Sequence, residues 1–471
     1  MSASPISIRD VMTDNHLFGD MFNNVSFAAW RSLLCGFYGL ELTNDEAATF
    51  KKLTNRETLP ADPHDELWLV IGRRGGKSQN AALLALYLAA LHDYSDKLSP
   101  GEIATVMVLC TDRKAARSVF RYVSGLIQSN PMLSSMVVRE DKETIELNNR
   151  TAIEISTASF RSVRGYTLAA VIADEIAFWR SDDSANPDYE IINALRPALA
   201  TLNGKLIALS SPYAKRGELY NHYRNYYGKD DPSILVAQAG SMIMNPTLPP
   251  RVVAQAMERD IANTQAEYFA HFRSDLEAFV SREAVEACVE PGRYELGYIS
   301  TNNYRGFVDP SGGSADSMTL AIGHDERRDG QTITIIDAVR EVKPPFSPEA
   351  AVEDFCDLLK SYRINRVTGD RYAGEWPREQ FRKRSIKYDL ADRPRSDLYR
   401  DTLPLINSRQ IELLDHQKLI TQICGLERRT ARSGKDSIDH APGSHDDVAN
   451  AVAGVAVSGR RGNYIDYGEL L

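Results

Sequence analysis

A short run of residues, LWLVIGRRGGKSQN from Leu67 to Asn80, constrains the fold of this chain more than any other feature. An apolar stretch ends in Gly-Arg-Arg-Gly-Gly-Lys-Ser, and an alanine- and leucine-rich stretch follows. This order predicts a buried strand, a tight loop and a helix N-terminus, which together bind phosphate through backbone N–H groups. The predicted nucleotide-binding loop comprises Gly72, Arg73, Arg74, Gly75, Gly76, Lys77 and Ser78.

The loop departs from the usual G-x-x-x-x-G-K-[ST] pattern at its start. Ile71 occupies the position of the first glycine, and Gly72 comes one place later. Gly75 and Gly76 still allow a close approach to phosphate. Lys77 is expected to contact the β- and γ-phosphates of ATP, and the Ser78 hydroxyl is expected to bind Mg²⁺.

The arginines of the loop are candidates for a catalytic role. Negative charge on the γ-phosphate in the transition state is stabilised by a guanidinium. Arg73 or Arg74 supplies that group from within the same chain in one interpretation. In a second, an arginine of a neighbouring subunit supplies it, with Arg161 and Arg164 as candidates that the sequence does not rank. In a third, Arg73 and Arg74 only attract the nucleotide or contact DNA.

Two further segments complete the predicted ATPase site. LAAVIADE, Leu168 to Glu175, reads as a buried strand that ends in two acids. Asp174 is predicted to hold Mg²⁺ and Glu175 to orient the attacking water. LIALSSP places Ser210 at the end of another strand, where it would sense the γ-phosphate, although Ser-Ser-Pro is also ordinary turn chemistry.

Alternation of strand and helix patterns predicts an α/β fold throughout, with two main domains. The predicted divisions of the 471 residues are a helical and irregular extension over 1–62, a P-loop domain over 63–279, a linker over 280–303, a second α/β domain over 304–458 and a tail over 459–471.

The second domain carries widely spaced acids at the ends of predicted elements. Asp309 and Asp370 each end a predicted strand, and Asp446 and Asp447 open the last predicted helix. Strand C-termini gather at one edge of an open α/β sheet, so these carboxylates are expected to meet there. Carboxylates that converge on two Mg²⁺ or Mn²⁺ ions can hydrolyse phosphodiesters, and Asp316 is a further candidate ligand. Each acid taken alone reads as a cap or turn residue.

A basic stretch, ERRTARSGK, runs towards the last of these acids. It is predicted to form a hairpin whose cations grip DNA phosphates, and a solvated charged loop is the competing interpretation. The cations concerned are Arg428, Arg429, Arg432 and Lys435.

The composition sets broad limits on the function. The net charge of −9 does not itself point to nucleic acid, although a large protein can confine such contacts to one channel. The sequence shows no apolar run of the roughly 20 residues that would span a bilayer, so no membrane association is expected.

These motifs together resemble the large terminase subunit of tailed double-stranded DNA bacteriophages. The resemblance extends from about Trp68 to Gly454 and includes GRRGGKS, RGYTLAAVIADE, SSPYAKRGELY, NPTLP, GDRYAGEW and IDHAPGSHDDVANAVAG in this order. It implies an ASCE-type P-loop ATPase with a mostly parallel sheet, followed by an RNase H-like nuclease domain.

The resemblance also implies roles for individual residues. Lys77 and Ser78 match the phosphate loop, Arg73 matches a loop arginine proposed to act in cis, and Asp174 with Glu175 match the acidic pair of the ATPase. The nuclease triad is matched by Asp309, Asp370 and one or both of Asp446 and Asp447. The adenine-contacting motif of the family has no clear counterpart, and FAAWRSLL makes Trp30 and Arg31 candidates for that region.

The function implied is a motor that uses ATP with Mg²⁺ to drive double-stranded DNA into a procapsid and cuts concatemeric DNA with two metal ions. The implied partners are the portal and procapsid, the small terminase subunit and further copies of the chain in a ring. The implied location is the cytoplasm of the bacterial host, outside the mature virion. An ATP-driven helicase with a non-catalytic C-terminal domain, and a scaffold that binds nucleotide only structurally, remain alternatives.

Overall fold

The structure is a computed structural model, and it describes residues 6–158, 165–179, 187–314, 316–370, 376–430, 436–441 and 444–458. The described residues up to Ser274 form one compact unit, and those from Asp275 onwards form a second. No helix of the described ranges combines the length and apolar character needed to cross a membrane.

The first unit combines helices with one large sheet. Its helices are α1 Ile8–Thr13, α2 Gly19–Phe22, α3 Ala28–Phe37, α4 Asn44–Thr54, α5 Lys77–Ala90, α6 Arg113–Ser129, α7 Pro131–Met136, α8 Pro187–Leu199, α9 Gly217–Tyr226, α10 Ser241–Met244, α11 Pro250–Arg259 and α12 Ile261–Glu267. Its strands are β1 Glu66–Ile71, β2 Ala104–Cys110, β3 Val137–Glu140, β4 Thr144–Leu147, β5 Thr151–Thr157, β6 Thr167–Asp174, β7 Lys205–Ser210 and β8 Ile234–Ala239.

The sheet of the first unit has the strand order β3-β4-β5-β2-β6-β7-β1-β8. The strands from β5 to β8 in this order run parallel, and β3 and β4 add an antiparallel edge. One strand, β7, separates β1 from β6, so the strand before the glycine loop and the strand before Asp174 and Glu175 are not neighbours. The position of β7 between β1 and β6 is the arrangement expected of an ASCE-type ATPase. The mostly parallel α/β sheet predicted from the sequence is confirmed.

Burial explains why the sequence around the glycine loop folds in this way. Five of the six β1 residues are buried, as in a parallel strand covered on both faces. Every residue of α5 from Asn80 to Ala90 is buried. Most of these residues are alanines and leucines, so the helix is apolar on all its faces. The loop between β1 and α5 is therefore fixed at both ends by core elements.

The second unit contains one large and one small sheet. Its helices are α13 Arg282–Glu286, α14 Pro348–Ser361, α15 Trp376–Lys383, α16 Arg395–Asn407, α17 Gln417–Cys424 and α18 Asp447–Ser458. Its strands are β9 Leu276–Ala278, β10 Val289–Glu290, β11 Tyr304–Asp309, β12 Met318–Arg328, β13 Gln331–Val342, β14 Arg366–Gly369, β15 Lys387–Leu390, β16 Ile411–Leu414, β17 Leu426–Thr430 and β18 Asp436–His440.

The large sheet of this unit has the order β10-β16-β13-β12-β11-β14-β15. Strands β11, β12 and β13 form an antiparallel meander, and β14 and β15 continue parallel to β11. The five strands β13-β12-β11-β14-β15 thus have the mixed order 3-2-1-4-5, which is the RNase H-like order that the resemblance implied. A small sheet, β18-β17-β9, lies beside it.

The helix α18 lies unusually close to β11. A Cβ atom at Gly454 would stand 2.2 Å from the ring of Phe307, so only glycine allows this approach. The residues of α18 from Asp447 to Ala456 are buried. The contact fixes the start of α18 relative to the strand that ends in Asp309.

The division of the chain differs from the predicted domain boundaries. The P-loop domain was predicted to continue to residue 279, but β9 pairs with β17 of the second unit. The predicted linker over 280–303 contains α13 and β10, and β10 pairs with β16. Turn-rich sequence in this region therefore reflects short elements at the edge of the second unit. The predicted tail over 459–471 lies outside the described residues.

Candidate active sites

The glycine loop of the first unit has the backbone of a phosphate-binding turn. Gly76 stands immediately before α5 with φ +87°, in the left-handed region that favours glycine. A Cβ at Gly75 would meet Ile71 Cγ2 at 2.7 Å, so this position also requires glycine. The loop therefore has the backbone that a phosphate-binding turn needs, and it leads directly into the N-terminus of α5.

Lys77 connects the loop to the ends of two other strands. Its Nζ atom donates to Ser211 Oγ at 2.9 Å and lies 3.2 Å from Glu175 Oε1. Glu175 Oε2 in turn accepts from the backbone N–H of Ser211 at 3.1 Å and lies 3.0 Å from Ser210 Oγ. The structure thus brings together Lys77, Glu175 and Ser210, which the sequence proposed for one ATPase site, and adds Ser211 to them.

Asp174 lies buried at the end of β6, beside this group. Burial is the main cause that raises the pKa of its carboxyl to about 7, and the neighbouring Glu175 raises it further. Its Oδ1 atom has no hydrogen-bond partner among the described residues. A buried carboxylate oxygen without a partner fits a ligand position for a divalent cation. Ser78, the other proposed Mg²⁺ ligand, lies half-buried in the first turn of α5.

The two loop arginines differ in their surroundings. The Arg73 guanidinium contacts Glu267, with Nη1 at 2.9 Å from Oε2 and 3.0 Å from Oε1. This hydrogen bond and the charge of Glu267 raise the pKa of Arg73. Arg74 is exposed and has φ +64°. The alternative candidates, Arg161 and Arg164, lie outside the described residues.

Three side chains, one from α3 and two from α10 and its C-cap, hold the carbonyl groups of the loop. Trp30 Nε1 donates to Gly75 O at 2.7 Å, Ser241 Oγ to Arg73 O at 2.6 Å and Asn245 Nδ2 to Arg74 O at 3.1 Å. Trp30 is buried and its indole supports the loop, whereas the sequence analysis made it a candidate for the adenine region. Its neighbour Arg31 lies 3.8 Å from Glu46.

The second unit brings three of the predicted acids to one edge of its large sheet. Asp309 ends β11, Asp370 follows the adjacent β14, and Asp447 opens α18. Asn450, one turn further along α18, donates from Nδ2 to Asp370 Oδ2 at 3.3 Å and also contacts the Asp309 carboxyl. Asn450 therefore links two carboxylates that lie on separate strands.

Burial, and then repulsion between neighbouring carboxylates, raises the pKa values of this carboxylate cluster. Burial raises the pKa of Asp309 well above its usual range, and the charges of Asp447 and Asp370 raise it further. The pKa of Asp447 is raised to about 6, mainly by burial and then by the neighbouring Asp446. A positive ion within the cluster would relieve both shifts.

The two adjacent aspartates have different surroundings. Asp446 accepts from Arg395 Nη1 at 2.8 Å and from the Tyr399 hydroxyl at 2.7 Å, and it is almost fully buried. Asp447 Oδ2 is buried and has no hydrogen-bond partner among the described residues. Gln422 Oε1 accepts from the backbone N–H groups of Val448 and Ala449 and fixes this helix start. Asp447 thus has a free ligand atom, whereas both oxygens of Asp446 are engaged.

The outer parts of the predicted nuclease site are more exposed. Asp316 has 63% of its side chain exposed and lies 3.5 Å from His445. Arg428 pairs with Asp436 across the β17–β18 hairpin, and Arg429 donates to His440 O at 3.1 Å. Arg432 and Lys435, at the predicted hairpin tip, lie outside the described residues, as do residues 371–375 of the GDRYAGEW motif.

The donor atoms of this cluster fit a hard divalent cation. Oxygen ligands from carboxylates and side-chain amides are those that Mg²⁺ prefers, and Asn450 Oδ1 is a second buried atom without a hydrogen-bond partner in the described part of the chain. Within the described ranges, no three His, Cys, Asp or Glu side chains already stand close enough together to share one metal ion.

Sequence patterns located the acids and the lysine but missed several residues that hold them. Glu267 lies in a polar helix with no motif, and Asn450 lies among small apolar residues of α18. Tyr399 and Arg395, which engage Asp446, are far from it in sequence. Two side chains that hold the glycine loop, Ser241 and Asn245, were also missed. Asn245 begins the N-P-T-L-P motif, which was the one sequence pattern that pointed to this region.

The comparisons with known proteins give structural matches at low sequence identity. No protein-family model matches the chain, and no curated protein is similar to it. The crystal structure of the HK97 bacteriophage large terminase is similar over 90% of this chain and 99% of its own, with 16% identity and a TM-score of 0.39. A large terminase from a thermophilic bacteriophage, in complex with ADP, covers 84% of this chain and 96% of its own, with 15% identity and a TM-score of 0.38. The large terminase nuclease of thermophilic phage G20c covers 37% and 96%, with 13% identity and a TM-score of 0.32.

Proposed function

We propose that this chain is the large terminase subunit of a tailed bacteriophage, a motor that hydrolyses ATP to move double-stranded DNA into a procapsid and cuts the concatemer. The observation that carries the proposal is the presence of two separate centres in one chain. One is the Lys77, Glu175 and Ser211 group at the glycine loop, and the other is the Asp309, Asp370 and Asp447 cluster.

The first centre has the groups that ATP hydrolysis requires. The loop N–H groups and Lys77 bind the phosphates, and Arg73 is proposed to reach the γ-phosphate from the same chain. Glu175 holds and orients the attacking water, and its contacts with Ser210 and Ser211 link it to the end of β7. Asp174 and Ser78 would hold Mg²⁺, which neutralises phosphate charge when it is bound.

The second centre has the groups that phosphodiester hydrolysis requires. Asp309, Asp370 and Asp447 would hold two Mg²⁺ or Mn²⁺ ions, which supply charge stabilisation for in-line attack when they are bound. Asp446 instead positions Asp447, because Arg395 and Tyr399 hold its carboxylate within the fold. Asn450 orients the carboxylates of Asp309 and Asp370. Asp316 and His445 lie at the exposed side of this centre and are proposed as outer ligands.

The proposed activity implies its partners. Packaging requires duplex DNA, the procapsid portal, a small subunit that selects the genome and a ring of several copies of the chain on the portal. The work takes place in the host cytoplasm, and the protein leaves before the virion matures. The adenine contacts and the source of any arginine in trans stay open.

The experiment that tests the motor proposal is displacement of a third strand from duplex DNA. A labelled triplex-forming oligonucleotide is bound to a linear duplex, and the protein is added with ATP and Mg²⁺. Asp370→Asn prevents cutting, and Lys77→Ala on the same background removes ATP hydrolysis. A translocase that tracks along duplex DNA displaces the third strand only in the variant with Lys77.

Two results would contradict the proposal. Separation of the two duplex strands without displacement of the third strand would indicate a helicase. Absence of ATP turnover in the presence of both DNA and procapsids would indicate a scaffold that binds nucleotide structurally.

A further inference from the structure

The helix α6 carries an exposed stripe of positive charge, formed by Arg113, Lys114, Arg117 and Arg121 and called here the basic stripe. All four residues are exposed. At 3.6 residues per turn they fall within an arc of about 100° of the helix surface. Residues of the opposite face, including Val119, Val123 and Ile127, are buried against the core. The helix is thus amphipathic, and its outer surface is basic.

The basic stripe has no counterions in the described part of the chain. None of its four cations forms an ion pair with a described residue, and α6 itself contains no acid. Asp112, immediately before the helix, uses its carboxylate to accept from the backbone N–H groups of Lys114 and Ala115. Some exposed arginines of this unit, such as Arg73 and Arg139, are paired with carboxylates, whereas the four cations of the stripe lie together on one helix face without such partners among the described residues. The stripe therefore stands out in a chain with a net charge of −9.

The position of α6 ties the basic stripe to the ATPase centre. The helix starts three residues after β2, and β2 pairs along its length with β6, the strand that ends in Asp174. Arg113 consequently lies at the strand edge that carries the ATPase residues. A ligand bound to the stripe therefore contacts α6, which begins at the same sheet edge as the proposed ATPase residues.

The chemistry of the surface favours a polyanion over a protein. The other residues within the arc are Ser124 and Gln128, which are both polar, so the arc lacks the apolar centre of a typical protein interface. From Arg113 to Arg121 the stripe extends about 12 Å. Each strand of B-form DNA presents a phosphate about every 3.4 Å along the axis, so roughly three or four phosphates span that length.

We propose that the basic stripe of α6 is a contact surface for the phosphate backbone of duplex DNA. The inference rests on the proposed packaging function and adds the place where the ATPase unit holds its substrate. Contacts to phosphates alone carry no sequence information, which suits a surface that must hold DNA of any sequence.

The test is the salt dependence of binding to a labelled 30-base-pair duplex, measured with the full chain in EDTA. The double variant Arg117→Gln/Arg121→Gln removes two charges from the stripe. The control Lys51→Gln/Lys52→Gln removes two charges from exposed positions of α4 that also lack ion pairs with described residues. Circular dichroism checks that both variants are folded.

Binding by the stripe variant is expected to lose about 2 units from the slope of log K against log salt, at about 0.9 per phosphate contact. Its affinity at 0.1 M salt should fall at least about tenfold, while the control and an Arg117→Lys/Arg121→Lys variant stay near wild type. ATP hydrolysis without DNA should be unchanged, and more DNA should be needed for half-maximal stimulation.

A stripe variant with the slope and affinity of the wild type would overturn the assignment of this surface and leave the proposed function standing. A wild-type chain that binds no duplex and shows no stimulation by DNA would overturn both. An equal loss in the α4 control would show a general charge effect and would also overturn the assignment.

Discussion

The Tyr399 hydroxyl donates a hydrogen bond to Asp446 Oδ2 at 2.7 Å within the core of the second unit. Arg395 occupies the other oxygen of the same carboxylate at 2.8 Å. The next residue, Asp447, has a buried oxygen with no partner among the described residues. The two adjacent carboxylates therefore have different surroundings, and we assign one to the fold and the other to the proposed metal site.

Substitution of the doublet should separate these tasks. Asp447→Asn is expected to abolish metal-dependent DNA cleavage and leave the thermal unfolding temperature close to that of the wild type. Asp446→Asn is expected to lower the free energy of unfolding by about 1–3 kcal/mol, because the partly buried Arg395 loses its charged partner. It should reduce cleavage by no more than about 10- to 100-fold, as for a residue that orients a ligand.

Plasmid digestion and thermal unfolding measured on both variants check this prediction. Full cleavage by Asp447→Asn together with complete loss in a folded Asp446→Asn protein would reverse the assignment.

Proton release should control metal binding at the nuclease centre. Asp447 has a pKa of about 6, above its ordinary 3.8, so the folded protein retains this proton more strongly than the unfolded chain. Without metal, the resulting stabilisation is complete below the unfolded pKa and is lost as the pH rises through about 6. Metal ligands must be deprotonated, so the affinity for Mn²⁺ should increase as the pH rises through the same range.

Thermal unfolding with and without Mn²⁺ between pH 5 and pH 8 measures this effect. The increase in unfolding temperature caused by Mn²⁺ should grow with pH in the wild type and be much smaller in Asp447→Asn. A metal-induced stabilisation that is the same at both ends of the range would contradict the prediction.

The indole of Trp30 should contribute to both stability and nucleotide affinity. Trp30→Phe retains an aromatic ring but removes the donor to Gly75 O, which leaves a carbonyl of the loop without that bond. The expected cost is about 1–3 kcal/mol of unfolding free energy, with weaker binding of ATP. Denaturant unfolding and titration with a fluorescent nucleotide measure the two quantities. Weaker nucleotide binding with unchanged stability would instead favour a direct contact between Trp30 and the nucleotide.

The ion pair of Arg73 and Glu267 predicts opposite effects for its two partners. In the proposed role in cis, Arg73 exchanges its contact with Glu267 for the γ-phosphate. Glu267→Gln should therefore lower KM for ATP by up to about fivefold, since an exposed ion pair contributes about 0.2–1 kcal/mol. Arg73→Ala should lower kcat by at least about 10³-fold if this arginine acts in cis.

Steady-state kinetics separate these outcomes. A normal kcat in Arg73→Ala would transfer the catalytic role to an arginine of a neighbouring subunit.

Local sequence patterns identified much of the fold, because the candidate functional residues directly follow or end apolar strands and so mark where those strands stop. The glycine loop, the Asp174–Glu175 pair and the start of α18 were all predicted in place. Buried parallel strands give continuous apolar runs, which made β1, β6 and β7 recognisable.

Long-range contacts were not predictable in the same way. Glu267 meets Arg73 from 194 positions away, and Tyr399 meets Asp446 from 47 positions away. Neither partner belongs to a local pattern, because each is placed by packing of separate elements. The same reason explains the predicted linker, where the two-residue strand β10 has too little sequence to signal its pairing with β16.

The most direct test of the central claim is a panel of three variants, Lys77→Ala, Glu175→Ala and Asp370→Ala, each measured for both activities. ATP hydrolysis is followed with duplex DNA and Mg²⁺, and plasmid cleavage is followed with Mn²⁺ or Mg²⁺. Two independent centres predict that Lys77→Ala and Glu175→Ala lose hydrolysis and still cut DNA, while Asp370→Ala hydrolyses ATP and does not cut. Cleavage at the wild-type rate by purified Asp370→Ala protein would contradict the nuclease assignment, and undiminished ATP hydrolysis by Lys77→Ala would contradict the motor assignment.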